Sequence, residues 1–203
     1  MASNLSTSLR QYLAALRVLL VLTVLLGVVY PLLVTAVGQV AFNAKADGSL
    51  VSSGGAVVGS SLIGQSFADG HGHPLPQWFQ PRPSAAGDGY DPTSTSASNL
   101  GPNNADLLKA VQERRAAAAA LDGVAPSSVP PDALTASGSG LDPDISPAYA
   151  REQIDRVAKA RGLDPATVRA LVERHVQGRD LGFLGEPVVN VFELNLALAH
   201  LGS

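Results

Sequence analysis

The segment from Gly59 to Gly64 reads GSSLIG, and its glycines are spaced like those of a phosphate-binding loop. In such a loop a lysine follows the second glycine and neutralises phosphate charge, but Gln65 occupies that position in this chain. Because glutamine carries no charge, the segment cannot work as a Walker-type nucleotide site. We therefore treat Gln65 as a candidate for contact with a partner protein.

A second segment, Ser137-Gly-Ser-Gly140, brings two hydroxyl groups together with glycines. A nucleophile elbow needs Gly-x-Ser-x-Gly at a turn between a strand and a helix, and this segment has neither the spacing nor a preceding strand. The sequence therefore argues against a serine hydrolase. Ser139 and Thr135 are retained as candidate partner contacts.

Two histidines and three aspartates are the side chains that could bind a metal ion. His71 and His73 flank a glycine in a Gly-rich loop without an adjacent third ligand, so a solvated loop explains them more simply. Asp132, Asp142 and Asp144 could form a hard-cation site, but their context is also typical of a turn that leads into a capped helix. We predict no resident metal or cofactor, and retain Asp132 and Asp142 as candidate partner contacts.

Arg82 lies between two prolines and close to Trp78 and Phe79. The prolines stiffen the chain, so the guanidinium is held ready for a bidentate or stacked contact. Two alternatives are open: Arg82 contacts a partner protein, or it ties this part of the chain to a carboxylate of the same domain. Asn99 is likewise either a turn residue or a contact residue.

The composition limits the elements that must position these residues. The chain has 203 residues, of which 46% are hydrophobic, 15% are charged and none is cysteine. The missing cysteines exclude a disulfide framework and a thiolate metal site, and the few charges exclude a charge-rich disordered tail. The length excludes a self-contained transport ATPase.

Residues 18–42 form an uncharged, mainly apolar run. As a helix this run would extend about 37 Å, which is enough to cross a hydrocarbon core of about 30 Å. We predict a retained transmembrane helix; the alternative is a cleaved signal peptide, which would make this a secreted binding protein. Pro31 predicts a kink. Gln39 either bonds locally or faces a partner helix, where a small residue such as Gly27 allows close packing.

The charges around this run predict its orientation. Arg10 and Arg17 precede the run, and only Lys45 follows it closely. By the positive-inside rule, residues 1–17 are cytoplasmic and residues 43–203 form one extracytoplasmic domain on a single-pass anchor in the plasma membrane. That domain carries 12 basic and 17 acidic side chains, so its net charge is about −5.

The outer segment is predicted to be an α+β domain with short strands, an irregular layer and about four helices. Apolar pairs at 57–58 and 62–63 lie between glycines, a pattern typical of strands and turns. Residues 70–102 are rich in Gly, Pro, Ser, Asp and Asn, which favours an irregular layer.

Cap and stop signals predict the four helices. They begin after Asn104, Ser146, Asp164 and Asn190, and the first three end near Gly123, Gly162 and Gly178. In the last helix we predict a buried face made of Leu194, Leu198 and Leu201.

Six motifs, in this order after one N-terminal span, point to a known family. The motifs are GSSLIGQSF at 59–67, WFQPRPSA at 78–85, SNLGPNN at 98–104, VPPDALTASGSGLDPDIS at 129–146, RVAKARGL at 156–163 and VNVFELNLAL at 189–198. Together they resemble the C subunit (KdpC family) of the bacterial Kdp potassium-transporting ATPase. The insert at 70–73 and the linker at 123–128 depart from the family pattern.

The resemblance implies a non-catalytic accessory subunit of a high-affinity potassium pump. Its implied partners are a channel-like potassium-translocating subunit, a P-type ATPase subunit and a small single-span peptide, and the complex rather than this chain handles ATP and K⁺. The family is described as a catalytic chaperone that raises the affinity of the ATPase subunit for ATP, and a glutamine matching Gln153 is associated with nucleotide contact. The predicted topology conflicts with that contact, because it places Gln153 outside the cytoplasm.

The same resemblance carries a second role, in which the outer domain supports potassium access at the channel-like subunit. A different class of function is also open, namely an independent membrane-anchored hydrolase or metal-binding protein. Turnover of a substrate or retention of a metal by the isolated domain would distinguish it.

Overall fold

A computed structural model describes residues 7–201 of the chain. The chain divides into two units, residues 1–50 and residues 51–203, which are described one at a time. Residues 1–6 of the predicted cytoplasmic segment and residues 202–203 of the predicted outer domain lie outside the described residues.

The first unit is dominated by one long helical run. It comprises α1 (Thr7–Val24), a π-helical turn (Leu25–Val29) and α2 (Tyr30–Ala41), followed by the short α3 (Asn43–Ala46). Within the described residues, one helix, Leu9–Ala41, is long and apolar enough to cross a membrane. This confirms the prediction of a single transmembrane helix, and the helix extends beyond the uncharged run 18–42 on its N-terminal side.

The π-helical turn lies immediately before Pro31. The amide of Tyr30 donates to the carbonyl of Leu25, five residues back instead of four. Pro31 has no amide hydrogen to donate to the carbonyl of Gly27, so regular α-helical bonding cannot continue there. At the place where the sequence predicts a kink, the structure therefore has a π-helical turn.

The second unit begins with a hairpin and an irregular layer. Strands β1 (Leu50–Ser53) and β2 (Ala56–Ser60) pair in a two-stranded sheet. They are joined by Gly54 and Gly55, whose φ angles of +59° and +83° suit a two-residue hairpin turn and favour glycine. The strand prediction at 57–58 is confirmed, whereas residues 62–63 lie outside the strands. Residues 61–104 contain no helix and follow the predicted irregular course.

Four helices of this unit, α4, α5, α7 and α8, begin at the predicted caps. Each of these cap side chains accepts a hydrogen bond from a backbone amide of the first turn. The helices are α4 (Ala105–Asp122), α5 (Pro147–Glu152), α6 (Ile154–Arg161), α7 (Pro165–His175) and α8 (Val191–His200), and a 3-10 turn spans Pro131–Ala133.

Two helix boundaries differ from the prediction. The expected single helix from Ser146 to Gly162 is divided at Gln153 into α5 and α6. The next helix ends at His175, because Val176 has an extended backbone and begins a strand.

A three-stranded antiparallel sheet holds these helices together. Its strands are β3 (Asp144–Ile145), β4 (Val176–Gln177) and β5 (Val188–Asn190), in the order β3-β5-β4. Val189 of the central strand is paired with Ile145 on one side and Val176 on the other. Strands of two or three residues are too short for sequence periodicity to reveal them.

The hydrophobic core lies between the sheet, helices α5 to α8 and the end of α4. Leu194 and Leu198 are fully buried, which confirms two members of the predicted face of α8. Leu201 is 37% exposed, so its predicted burial is wrong: α8 ends at His200, and the next residue turns to solvent. The other large core side chains include Phe79, Ile145, Tyr149, Ile154, Val157, Val168, Leu171, Val172, Val189 and Val191.

Candidate functional site

Gln153 lies at the junction between α5 and α6, and its side chain is fully buried. Its Oε1 accepts hydrogen bonds from the amide of Gln80 and from Nη2 of Arg156, both at 2.6 Å. Its Nε2 donates to the carbonyl of Gln80 at 3.1 Å. Both ends of the amide are thus engaged inside the domain, and the predicted contact of Gln153 with a nucleotide stays a prediction.

Arg156 is the centre of this buried network. Its Nε donates to Oδ1 of Asp122 at 2.6 Å, and Nη1 donates to the carbonyls of Pro76 and Trp78 at 2.6 and 2.9 Å. The side chains of Arg156 and Asp122 are 5% and 1% exposed. Removing this arginine would leave a buried carboxylate unpaired, so the ion pair fixes the irregular layer on α4 and α6.

Asn195 makes a parallel connection from α8. Its Oδ1 accepts from the amide of Phe79 and its Nδ2 donates to the carbonyl of the same residue, each at 2.9 Å. The irregular layer is therefore held by paired side-chain amides, one from α8 and one from the α5–α6 junction. This gives a stretch without secondary structure of its own a fixed position.

An acidic cluster surrounds the network. Oδ2 of Asp122 and Oε1 of Glu152 are buried and have no hydrogen-bond partner within the described residues. Burial, with the negative charges of Asp122 and Asp132 added, raises the pKa of Glu152 to about 7. Among the described residues no group of three or more histidine or acidic side chains is placed to hold a metal ion.

Arg82 bonds to a carboxylate of its own domain, which is one of the two alternatives predicted for it. Its Nη1 donates to Oδ2 of Asp142 at 2.9 Å, and its Nη2 lies 3.4 Å from Oγ1 of Thr135. The hydroxyl of Tyr90 donates to the carbonyl of Arg82 at 2.8 Å. About a quarter of the Arg82 side chain is exposed. The structure thus brings three predicted contact residues together, and their contact with a partner stays a prediction.

The serine-rich segment folds as a tight loop stabilised by its own hydroxyls. Oγ of Ser137 accepts from the amides of Ser139 and Gly140 at 3.2 and 3.0 Å. Gly140 has φ +72°, and a Cβ there would lie 2.6 Å from that of Ala86. The carbonyl of Ser139 accepts from Oγ1 of Thr95 at 2.7 Å. These serines serve the loop geometry.

The remaining candidates in the second unit are separated from one another. Asp132 accepts from the amide and the hydroxyl of Ser146 at 2.6 and 2.9 Å, so it supports the start of α5. Gln65 donates to the carbonyl of Val58 at 3.1 Å. Asn99 has φ +51°, and its Nδ2 donates to the carbonyl of Ala97 at 3.4 Å; its contact with a partner stays a prediction.

The candidates of the first unit lie along its helical run. Gly27 lies in the π-helical turn, and no atom lies within 4 Å of the position that a Cβ would take. Gln39 donates to Oδ1 of Asp47 at 2.9 Å, so it bonds locally. Contact of either residue with a partner helix stays a prediction.

The two histidines of the Gly-rich loop bracket a tight turn. Oδ1 of Asp69 accepts from the amides of His71 and His73 at 2.8 and 2.9 Å. Nδ1 of His73 lies 3.3 Å from Oδ2 of the same aspartate. These two amide bonds lower the pKa of Asp69, which is the behaviour of a turn-forming aspartate.

Sequence reasoning missed the centre of the network, Arg156 with Asp122 and Asn195. Apart from the bond of Arg156 to Gln153, their partners lie 34 to 116 residues away along the chain, and no local spacing signals them. Arg156 directly precedes Val157 in the helix predicted after Ser146, but this position by itself does not indicate that the arginine is buried. A buried position for such a charge requires a partner.

Comparison with known proteins covers nearly the whole chain. The family described as "KdpC: K+-transporting ATPase, c chain" matches residues 12–200. The chain is similar to the potassium-transporting ATPase KdpC subunit of Kineococcus radiotolerans, with 63% identity over 198 residues, 98% of this chain and 97% of the relative. The subunits of the same name from Mycobacterium tuberculosis and Sorangium cellulosum are 51% and 54% identical, covering 95% and 91% of this chain and 99% and 94% of the relatives. The chain therefore belongs to the KdpC family of potassium-transporting ATPase subunits.

Proposed function

We propose that this chain is an accessory subunit of a high-affinity, ATP-driven potassium uptake complex and acts mainly in assembly. Its relatives are named potassium-transporting ATPase KdpC subunits, and the similarity covers nearly their full length. One helix able to cross a membrane and one compact unit without a metal-binding group in its described residues suit a subunit that adds no transport chemistry.

The observation that carries this proposal is that the polar atoms of Gln153 and Arg156 are hydrogen-bonded inside the domain. Gln153 and Arg156 are bonded to the irregular layer and to Asp122, so their donors and acceptors are already engaged. A direct contact with ATP would require those buried bonds to break. Any effect on ATP affinity is therefore exerted indirectly, by holding the ATPase subunit in its assembled state.

The proposed topology agrees with an indirect effect. Arg10 and Arg17 precede the span, which favours a cytoplasmic N-terminus and an extracytoplasmic domain over residues 43–203. Cytoplasmic ATP would then lie on the other side of the membrane from Gln153. The proposed partners are the channel-like subunit, the P-type ATPase subunit and a small single-span peptide.

A second role is support of potassium access at the channel-like subunit. The excess of acidic over basic side chains in residues 43–203 favours it, because a mildly negative surface raises the local concentration of cations. A rise in the potassium concentration needed for half-maximal ATPase activity, after exposed carboxylates are replaced by amides, would support this role.

Exchange of the membrane helix tests the assembly proposal. Residues 18–42 are replaced by an unrelated apolar helix of equal length, which preserves insertion but removes specific packing and polar contacts. We expect the variant to reach the membrane at normal levels, to co-purify poorly with the pump and to support less potassium-stimulated ATP hydrolysis.

Two results would contradict this. If the exchanged helix co-purifies normally with full activity, the span is only a tether and assembly depends on the outer domain. If the wild-type chain neither co-purifies with a pump nor affects its ATPase activity, the proposed function fails. The alternative of a hydrolase or metal-binding protein would then be tested by turnover and metal content.

A further inference from the structure

A cavity of about 230 Å³ lies between α4 and the irregular layer of the second unit. One wall is a single face of α4, on which Arg114, Ala117, Ala118 and Leu121 follow one another at helical spacing. Residues 80–83 of the irregular layer contribute to the opposite wall. Because two residues of the α4 face carry only a methyl group, the helix does not fill the space between these walls.

Two buried polar side chains line this cavity, Tyr149 and Gln80, which are 5% and 8% exposed. Nε2 of Gln80 donates to the carbonyls of Phe67, Leu75 and Trp78 at 3.0, 3.0 and 3.3 Å, which fixes the orientation of the amide. Within residues 7–201, neither Oε1 of Gln80 nor the hydroxyl of Tyr149 has a hydrogen-bond partner. Buried polar groups are normally paired, so both groups suit a polar ligand in the cavity.

The cavity also carries one positive charge without a counter-charge. Nη1 of Arg114 donates to the carbonyl of Leu134 at 3.0 Å, and the guanidinium forms no ion pair within the described part of the chain. The other cation of the lining, Arg82, is paired with Asp142. No acidic side chain from the described residues lines the cavity. A guanidinium in this setting favours a carboxylate, which it can bind through two parallel hydrogen bonds.

We propose that this cavity binds a small organic acid, consisting of a carboxylate on a short apolar group. The carboxylate pairs with Arg114, and the apolar group packs against Ala117, Ala118 and Phe67, which line the same cavity. This binding function goes beyond the proposed role in assembly and does not depend on it.

The acidic side chains near Tyr149 decide which end of the ligand lies there. Burial, with the negative charges of Asp122, Asp132 and Glu152 added, raises the pKa of the Tyr149 hydroxyl, so this group stays protonated. The same charges disfavour a carboxylate at that end of the cavity. The charged end of the ligand therefore lies at Arg114, and its neutral end lies towards Tyr149.

The size and the walls of the cavity narrow the class of ligand. Sites for drug-sized ligands have volumes of roughly 300–1,000 Å³, so a cavity of about 230 Å³ admits only a smaller molecule. Inorganic phosphate is small enough, but it has no apolar surface to bury against the alanines of α4. A carboxylate with a short apolar group gains from both the charge and the walls.

Calorimetric titration of the full chain in detergent tests the proposal, with benzoate as the probe. Benzamide is the neutral counterpart, because it has nearly the same shape without the charge. We expect benzoate to bind about tenfold more tightly than either benzamide or inorganic phosphate. Absence of benzoate binding up to about 10 mM would mean that water alone occupies the cavity, and would overturn the proposal.

A charge variant identifies the binding group. Arg114→Gln removes the unpaired charge and should weaken benzoate binding about tenfold while leaving benzamide binding unchanged. Arg115→Gln is the matched control, because Arg115 is the next residue of α4, is exposed and does not line the cavity. Equal affinity of the wild type and Arg114→Gln for benzoate would overturn the proposal.

A second variant identifies the cavity by filling it. Ala118→Leu should abolish benzoate binding, whereas Ala116→Leu, on the same helix but outside the lining, should keep the wild-type affinity. Melting temperatures of all variants report whether the fold is kept. If Ala118→Leu does not fold, Arg114→Gln still decides the outcome. A folded Ala118→Leu variant that binds benzoate normally would overturn the proposal, because binding would then occur elsewhere.

The assembled pump distinguishes a free acid from a carboxylate that belongs to another protein chain. Equal affinity for benzoate in the isolated chain and in the pump supports a free ligand. Binding by the isolated chain alone would mean that another subunit covers the cavity, and would overturn a free acid as its occupant. Neither result alters the proposed role in assembly, which depends on co-purification.

Discussion

Arg156 is the residue whose loss should destabilise the second unit most. Arg156→Met leaves the Asp122 carboxylate buried without its partner and frees the carbonyls of Pro76 and Trp78. We expect a loss of about 3–5 kcal/mol in the free energy of unfolding, which corresponds to a melting temperature about 10 °C lower. Thermal unfolding followed by circular dichroism measures it.

Two further variants make this prediction specific. Lys159→Met changes an exposed cation on the same helix and should leave the melting temperature unchanged. Replacing Asp122 by Leu together with Arg156→Met removes both charges and should recover part of the loss. A double variant as unstable as Arg156→Met alone would mean that the carbonyl bonds, rather than the unpaired carboxylate, are responsible.

The raised pKa of Glu152 predicts that the stability of the folded chain depends on pH. Burial beside Asp122 and Asp132 raises its pKa from 4.5 to about 7, so the folded chain holds this proton more tightly than the unfolded chain. Stability should therefore fall as the pH rises from about 4.5 to 7 and change little above that. The change is on the order of 1 kcal/mol after allowance for solvent screening.

Denaturant unfolding of the wild type and of Glu152→Gln at several pH values measures this effect. The amide cannot titrate, so the variant should lose the slope between pH 5 and 7. The same slope in both proteins would assign it to other carboxyl groups, such as Asp144, whose pKa burial also raises.

At the scale of elements, the cap of α8 connects two parts of the second unit. Oδ1 of Asn190 accepts from the amide of Glu193 at 3.0 Å, while its Nδ2 donates to the carbonyl of Ser61 at 2.8 Å. Asn190→Ala should therefore lower the free energy of unfolding by about 1–2 kcal/mol, more than a cap bond alone. Chemical denaturation of the full chain measures the loss.

Asn190→Asp is the matched control for that prediction. The carboxylate keeps the cap bond but cannot donate to Ser61, so it should lose only the second part of the effect. If Asn190→Ala is no less stable than the wild type, the cap does not connect α8 to residue 61 in solution.

The helices were predictable from sequence because their signals are local. Asn104, Ser146, Asp164 and Asn190 each bond an amide two or three residues away, and the structure confirms all four caps. The break at Gln153 was not predictable in this way. Its side chain bonds Gln80, 73 residues distant, and tertiary bonds of that kind override local helix propensity.

The candidate site was less predictable than the helices, because its contacts join residues that are far apart along the chain. The pairing of Arg82 with Asp142 spans 60 residues, and the sequence offered an intradomain carboxylate only as one of two alternatives. The exposure of Leu181, Phe183 and Leu184 was not predicted, because a short Leu-Gly-Phe-Leu run looks the same whether it is buried or exposed. The one apolar run was sufficient to predict the single span, and the helix caps together with the short apolar pairs between glycines were sufficient to predict the α+β class.

At the scale of the whole molecule, the orientation in the membrane is directly testable. The chain has no cysteine, and Ser127 is exposed in the second unit. A Ser127→Cys variant should react with an impermeant thiol reagent on intact cells that lack an outer-membrane barrier. A Gln11→Cys control, before the uncharged run 18–42, should react only after lysis. The reverse pattern would put Gln153 in the cytoplasm and restore direct contact with ATP as a candidate role.

The π-helical turn changes the rotational phase of the membrane helix. A π-helical turn holds about one residue more than an α-helical turn, so every side chain after it lags by about 100° around the axis. Thr23 and Thr35 would lie about 120° apart on an unbroken α-helix, but with this lag they lie within about 20° of one another. A helical wheel drawn through residues 18–42 as a uniform α-helix therefore places these two residues on different sides, whereas a wheel that includes the π-helical turn places them on the same side.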